Sequence, residues 1–195
     1  TGEPERAGRA VESPFRAADR PEPPPRAAAL PPKTTGGAPT VDPLVARYIA
    51  ELREADLLVV IHPAWWGGPP AIVKGWIDRV FALNAAFALP KGDGGPQLGL
   101  LGLRRALVFN TSNTDEEREL ALFGDPLERV WRDCILGYCG VAAVERQVFR
   151  IVATSTEEER TGWVAAVASA VHDAASGLSL SAHAASTEPP VSPDD

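Results

Sequence analysis

Two short segments concentrate the chemistry of this chain. One is His62-Pro63-Ala64-Trp65-Trp66-Gly67-Gly68; the other is Thr111-Ser112-Asn113-Thr114. The first offers two indoles beside two glycines. The second offers hydroxyls, a carboxamide and backbone N–H groups. A flat aromatic ligand needs both kinds of lip: an apolar wall to lie on and polar groups to read its edge. Paired tryptophans often fill a core, but Gly67-Gly68 leave open space beside these two. His62 closes an apolar run and reads as a packed strand-end histidine. The remaining histidines, His172 and His183, are scattered, and with Cys134 and Cys139 they give no zinc-ligand spacing, so no metal site is expected. The two cysteines read as small core thiols on one amphipathic helix. A disulfide framework does not suit a chain with one candidate pair, which points to a reducing, cytoplasmic compartment.

Both segments directly follow strands. Leu57 to Ile61 is a short run with no polar alternation, the pattern of a central parallel strand buried on both faces. Ala106 to Phe109 is a second such run, with a polar loop expected from Asn110, and Gln147 to Val152 is a third strand. Helices are expected between them. Asp42-Pro43 starts one, by a carboxylate cap and a proline suited to the first turn. Pro69-Pro70 starts another, with Ile72, Val73, Trp76, Ile77, Val80 and Phe81 on its inner face. Asp125-Pro126 starts a third, carrying Leu127, Val130, Trp131, Cys134, Ile135 and Tyr138 at helical spacing. Thr156 to Glu159 is a capping box opening a last helix to about Ala175. Between residues 84 and 103 a glycine-rich excursion is expected to hold a small hairpin, Phe87 to Leu89 against Leu98 to Leu101. Alternating helices and apolar strands predict an α/β domain with a parallel sheet. In such sheets ligands sit beyond the carboxyl ends of the strands, where both lips fall.

Composition sets the limits. Of 19 prolines in 195 residues, nine lie in 1–40 and three in 176–195. Residues 1–40 therefore read as a disordered or loosely packed segment, 41–175 as the globular domain and 176–195 as a disordered tail. Hydrophobic residues make up 45% of the chain, enough for a sizeable core. A net charge of −7 argues against nucleic-acid binding, which needs a basic face. No run of about 18 apolar residues suggests a membrane span.

The stretch Pro63-Ala64-Trp65-Trp66-Gly67-Gly68-Pro69-Pro70-Ala71-Ile72-Val73-Lys74-Gly75-Trp76-Ile77-Asp78-Arg79-Val80 resembles the flavin-dependent NAD(P)H:quinone oxidoreductases of flavodoxin-like fold. Asn110 to Thr114, followed by Phe123-Gly124-Asp125-Pro126-Leu127, is similar to a subfamily of the same group. The resemblance covers residues 42 to 172 and implies a three-layer sandwich around a parallel sheet. It implies FMN or FAD as cofactor, NAD(P)H as co-substrate, a quinone-like acceptor and a homodimer. Pro63, Ala64, Trp65, Trp66 and Gly67 would run along the flavin ring. Thr111, Ser112, Asn113 and Thr114 would bond its edge and stabilise charge on it. Trp66, by walling the place where nicotinamide and then quinone stack, and Asn113, at the ring edge, would serve catalysis directly. Lys74, Gly75, Trp76, Asp78 and Arg79 read as structural.

One part of the family pattern has no counterpart here. The family opens with a strand and a loop that holds the flavin phosphate at a helix N-terminus. Residues 1–40 contain no such strand or loop, so the sheet is expected to lack its N-terminal strands and to leave 57–61 with an open apolar edge. The segment is then expected to bind flavin weakly or not at all. The alternatives to an enzyme are a non-catalytic flavodoxin-like regulatory or binding subunit and a truncated inactive relative.

Overall fold

The computed structural model describes residues 42–90 and 97–187. The chain divides after Thr40 into two units. The first, with the expected loose segment 1–40, lies outside the described residues, as does the end of the expected tail, 188–195.

Local chemistry sets each element of the second unit. Helix α1 (Pro43–Glu54) starts where Asp42 accepts the Leu44 N–H, and Pro43 occupies the first turn. Strand β1 (Leu57–Pro63) follows, then helix α2 (Ala71–Val80). Strands β2 (Phe87–Ala88) and β3 (Leu98–Gly99) pair antiparallel, as the expected hairpin. Strand β4 (Arg105–Ser112) leads to helix α3 (Glu116–Phe123). Helix α4 (Pro126–Glu128) continues as a π-helix over Arg129–Gly137. Strand β5 (Val144–Arg150), a short 3-10 turn (Val152–Thr154) and helix α5 (Glu157–Thr187) complete the chain. Before α5, Thr156 and Glu159 exchange bonds in the expected capping box, Glu159 N–H to Thr156 Oγ1 at 3.1 Å and Thr156 N–H to Glu159 Oε2 at 2.7 Å.

The main sheet is parallel with order β1-β4-β5 among the described residues. Strand β4 is its centre: Ala106 to Asn110 are all buried. Alternate residues face opposite layers. Ala106 and Val108 join Val60, Ile77, Val80, Leu127, Trp131 and Leu136 on the side of α1, α2 and the π-helix. Leu107 and Phe109 join Phe149 and Ala174 on the side of α5, where Trp163, Val167 and Val171 pack against them. This is the expected α/β architecture, a parallel sheet between helical layers.

Five differences from the sequence reading have physical causes. Strand β4 runs on through Ser112, because Asn110 is buried and its amide is fully engaged inside the fold. Strand β5 occupies 144–150, not 147–152. Among the described residues strand β1 is the open apolar edge expected of it; Ile61 is 62% exposed, and Ile72, at 84%, is not on the inner face where its spacing put it. The π-helix widens the turn by one residue and rotates the expected stripe. Leu127, Trp131 and Leu136 face inward, whereas Cys134 and Tyr138 are exposed, so only Cys139 is a core thiol. Gly137 permits the widened turn, since a Cβ there would meet the Arg132 carbonyl oxygen at 2.5 Å. Finally, α5 extends past Ala175 to Thr187, through an Ala- and Ser-rich stretch without proline.

Candidate functional site

The register of the sheet brings the two candidate lips together. Pro63 pairs with Thr111 at the carboxyl ends of β1 and β4, and the Ala64 N–H donates to the Thr111 carbonyl at 2.7 Å. Beyond that point the chains diverge and enclose a cleft of about 600 Å³. Ala64, Trp66 and Gly67 line one side, Ser112, Asn113 and Thr114 the other. Those are six of the nine expected site residues. Pro63, Trp65 and Thr111 stand behind the cleft: Pro63 and Thr111 form the last rung of the ladder, and Trp65 is 62% exposed outside it.

The first lip is a tight turn. Trp65 and Gly68 exchange backbone bonds of 3.0 and 2.9 Å across Trp66 and Gly67, which have φ of 53° and 72°. Two successive positive φ values are the signature of a type I′ turn. Gly67 suits it, and a Cβ there would also press on Pro126 at 3.2 Å. Trp66 is a bulky residue in the left-handed region, a conformation that costs about 1–3 kcal/mol and collects at functional positions. Its indole is fully exposed and buries nothing within the described fold. The turn thus spends conformational energy to present an aromatic face at the cleft.

The second lip is fixed by side chains. Ser112 Oγ accepts the Thr114 N–H at 3.0 Å, and Asn113 Oδ1 accepts the Ala153 N–H at 2.8 Å. The Asn113 amide N–H groups and the Ser112 hydroxyl proton remain to donate. Arg150 donates to the Thr114 carbonyl at 3.1 Å and pairs with the buried Glu119 carboxylate, tying this lip to β5 and α3. Asp115 caps α3 through the Arg118 N–H at 3.1 Å.

Beneath the first lip lies a buried polar chain. His62 Nδ1 faces the Pro63 carbonyl at 2.8 Å and Nε2 faces the Trp131 indole N–H at 2.9 Å. Nδ1 therefore carries the proton, and Nε2 accepts. The Asn110 amide lies 3.1 Å from Nε2, and its Oδ1 accepts from Arg146 Nε at 2.7 Å. Arg146, only 4% exposed, also donates to Asp125 at 2.7 Å. Asp125 precedes Pro126, which supports Gly67. The chain thus closes on the lip from which it started. Burial holds the His62 pKa below the usual imidazole value, the Arg146 charge adds to this, and the bond to Pro63 opposes it. His62 is the packed strand-end histidine expected of it and does not line the cleft.

The cleft has further walls that the sequence reading did not assign: Asp115, Arg118, Glu119, Phe123, Pro126 and Ile151. Most belong to α3 and its flanks. The signals for that helix were present: an Asp115 cap, acids in the first turn and Gly124 in the left-handed region after it. Lys74, Asp78 and Arg79 lie away from the cleft. Lys74 pairs with Asp78 within α2, and Arg79 reaches Asp42 at 3.0 Å, joining α2 to the start of α1. Taken together the cleft can hold a planar molecule between an indole and a donor-bearing loop. Its volume is in the range of small-molecule sites, roughly 300–1,000 Å³.

A sequence profile described as flavodoxin-like fold matches residues 16–172. Among curated proteins, the ribosyldihydronicotinamide dehydrogenase [quinone] of Homo sapiens is 35% identical over 120 residues, covering 60% of this chain and 51% of its own. The FMN-dependent NADH:quinone oxidoreductase of Cereibacter sphaeroides is 32% identical over 108 residues, covering 52% and 50%. Among solved structures, Smu.1420 from Streptococcus mutans UA159 superposes with a TM-score of 0.59 at 28% identity, over 68% of each chain. The chain spans about half the length of the curated relatives it matches.

Proposed function

The chain belongs to the flavodoxin-like fold family, and on that premise we propose that it is an NAD(P)H-dependent flavin oxidoreductase that passes two electrons to a quinone or similar acceptor. One observation carries the reading: Trp66–Gly67 and Ser112–Thr114 line a single cleft at the carboxyl edge of the sheet. The residues present fit a flavin ring. Trp66, Phe123, Pro126 and Ile151 give apolar walls, and Asn113 and Ser112 keep donors free for the ring edge. FMN is the cofactor of choice, in line with the FMN-dependent relative. When bound, flavin would supply hydride acceptance from NAD(P)H and two-electron delivery to the acceptor.

The protein's part is positioning and electrostatics. Trp66 stacks on the planar reactants and keeps water from one face. The Asn113 amide and Ser112 hydroxyl, held in place by Ala153 and Thr114, donate to the ring edge and favour negative charge there without reorganising. Ala64 and Gly67 let backbone approach closely. Arg150 and Glu119 keep the second lip at a fixed distance.

A homodimer belongs to this reading, supported by exposed Trp65, Leu120, Leu122 and Phe123 on the elements flanking the cleft. A cytoplasmic setting is supported by two cysteines that are both free thiols. The test is NAD(P)H oxidation with menadione as FMN is titrated in. Turnover that depends on FMN and falls at least about tenfold in Trp66→Ala, with an unchanged melting temperature, is the expected result. Quenching of FMN fluorescence without turnover would instead identify a flavodoxin-like binding subunit, and neither would indicate an inactive relative.

A further inference from the structure

Arg118 is the cation that lines the cleft among the described residues. The other charged walls are already engaged. Asp115 accepts the Arg118 backbone N–H, and Glu119 is paired with Arg150. The Arg118 guanidinium makes no hydrogen bond or ion pair with the described residues, whereas Arg146 and Arg150 nearby are both consumed by carboxylates. Trp66, Phe123, Pro126 and Ile151 line the same cleft. The cleft thus combines flat apolar walls with one planar, permanently charged fork of donors that no described residue engages.

We propose that Arg118 makes this cleft selective for flat aromatic acceptors that carry an anionic substituent, a sulfonate or a carboxylate. The inference rests on the reading of the cleft as a site for planar redox partners and names their class. A guanidinium binds two oxygens of such a group side by side, which a lysine ammonium does not match. Attraction from a distance does not contribute: the chain carries a net −7, Glu116 and Glu117 precede Arg118, and fields fade beyond about 8 Å at physiological salt. The preference is therefore a contact effect, seen in affinity and dissociation, with no gain in association rate.

Isothermal titration of the 195-residue chain in saturating FMN, with two probes of one ring system, tests this. Anthraquinone monosulfonate carries the anion; hydroxymethylanthraquinone is its neutral counterpart. Arg118→Gln is expected to weaken the sulfonate about tenfold and leave the neutral probe unchanged, with Arg118→Lys in between. Equal weakening of both probes or an unaffected sulfonate would overturn the assignment. Failure of both probes to bind the unaltered chain would overturn the planar-partner reading and this inference with it. Arg118 is exposed, so an unchanged thermal melt confirms that each variant is folded.

Discussion

His62 shows how a residue beside the site can take no part in its lining and still tie the fold's stability to pH. Both ring nitrogens are committed, one to the Pro63 carbonyl and one to the Trp131 indole. Protonation would turn the accepting nitrogen into a donor facing two donors, close to the buried Arg146 charge from β5. The sign of the pH effect follows. In the unfolded chain the imidazole takes a proton at about pH 6.5; in the folded chain it resists until a lower pH. Stability is full above about pH 6.5, declines as pH falls through the window beneath it, and stops declining below the lowered folded value. Thermal melts between about pH 5 and 8 should show this slope in the unaltered chain and a shallower one in His62→Gln. Identical slopes would mean that His62 is not held neutral. The aromatic and polar residue types at the two lips were readable because each follows an apolar run that had to be a strand. The silence of His62 was only half readable: its burial followed from the strand end, its two partners did not.

At the level of elements, legibility tracked how local the determining interaction is. The Asp42 cap and the Thr156–Glu159 box are made by residues two and three apart, and both are found where the sequence puts them. Helix α3 escaped because it is only eight residues long and its Leu120, Leu122 and Phe123 are all exposed, so no apolar stripe facing a core marks it. The π-helix escaped because an extra residue per turn rotates a stripe that periodicity assigns to Cys134 and Tyr138. Least readable was the link between β5 and the first lip. It depends on the β4–β5 register, which sets Arg146 against Val108 and within reach of Asn110. Removing this link has a calculable consequence. Arg146→Met leaves Asp125 and Glu128 without their buried cation and Asn110 Oδ1 without a donor. A loss of about 3–5 kcal/mol in urea unfolding is expected, the range for breaking a buried pair from one side. Arg146→Lys should recover part of it, since one ammonium can reach one carboxylate but cannot hold Asn110 and Asp125 together.

Among the described residues the sheet has an unequal pair of edges. Among the described residues strand β5 ends the sheet, and the exposed Glu145 puts a charge on that edge. Strand β1 has no such protection: Leu57 to Ile61 is wholly apolar, and among the described residues it pairs only with β4. A groove of about 310 Å³ runs along it, with Ile61, Ile72, Val73 and Trp76 in its walls. A parallel sheet normally buries both faces and caps its apolar strands with neighbours. An edge of this kind offers unpaired backbone groups in a hydrophobic setting, the combination that recruits another strand. The purified chain is therefore expected to self-associate as concentration rises, at a surface separate from the cleft. Ile61→Lys should suppress that association in sedimentation velocity while leaving the melting temperature within a degree or two, because a half-exposed edge position loses little on gaining a charge. If the same substitution lowers the melting temperature by about 5 °C or more, in the range that about 1 kcal/mol produces, the edge is already covered in solution.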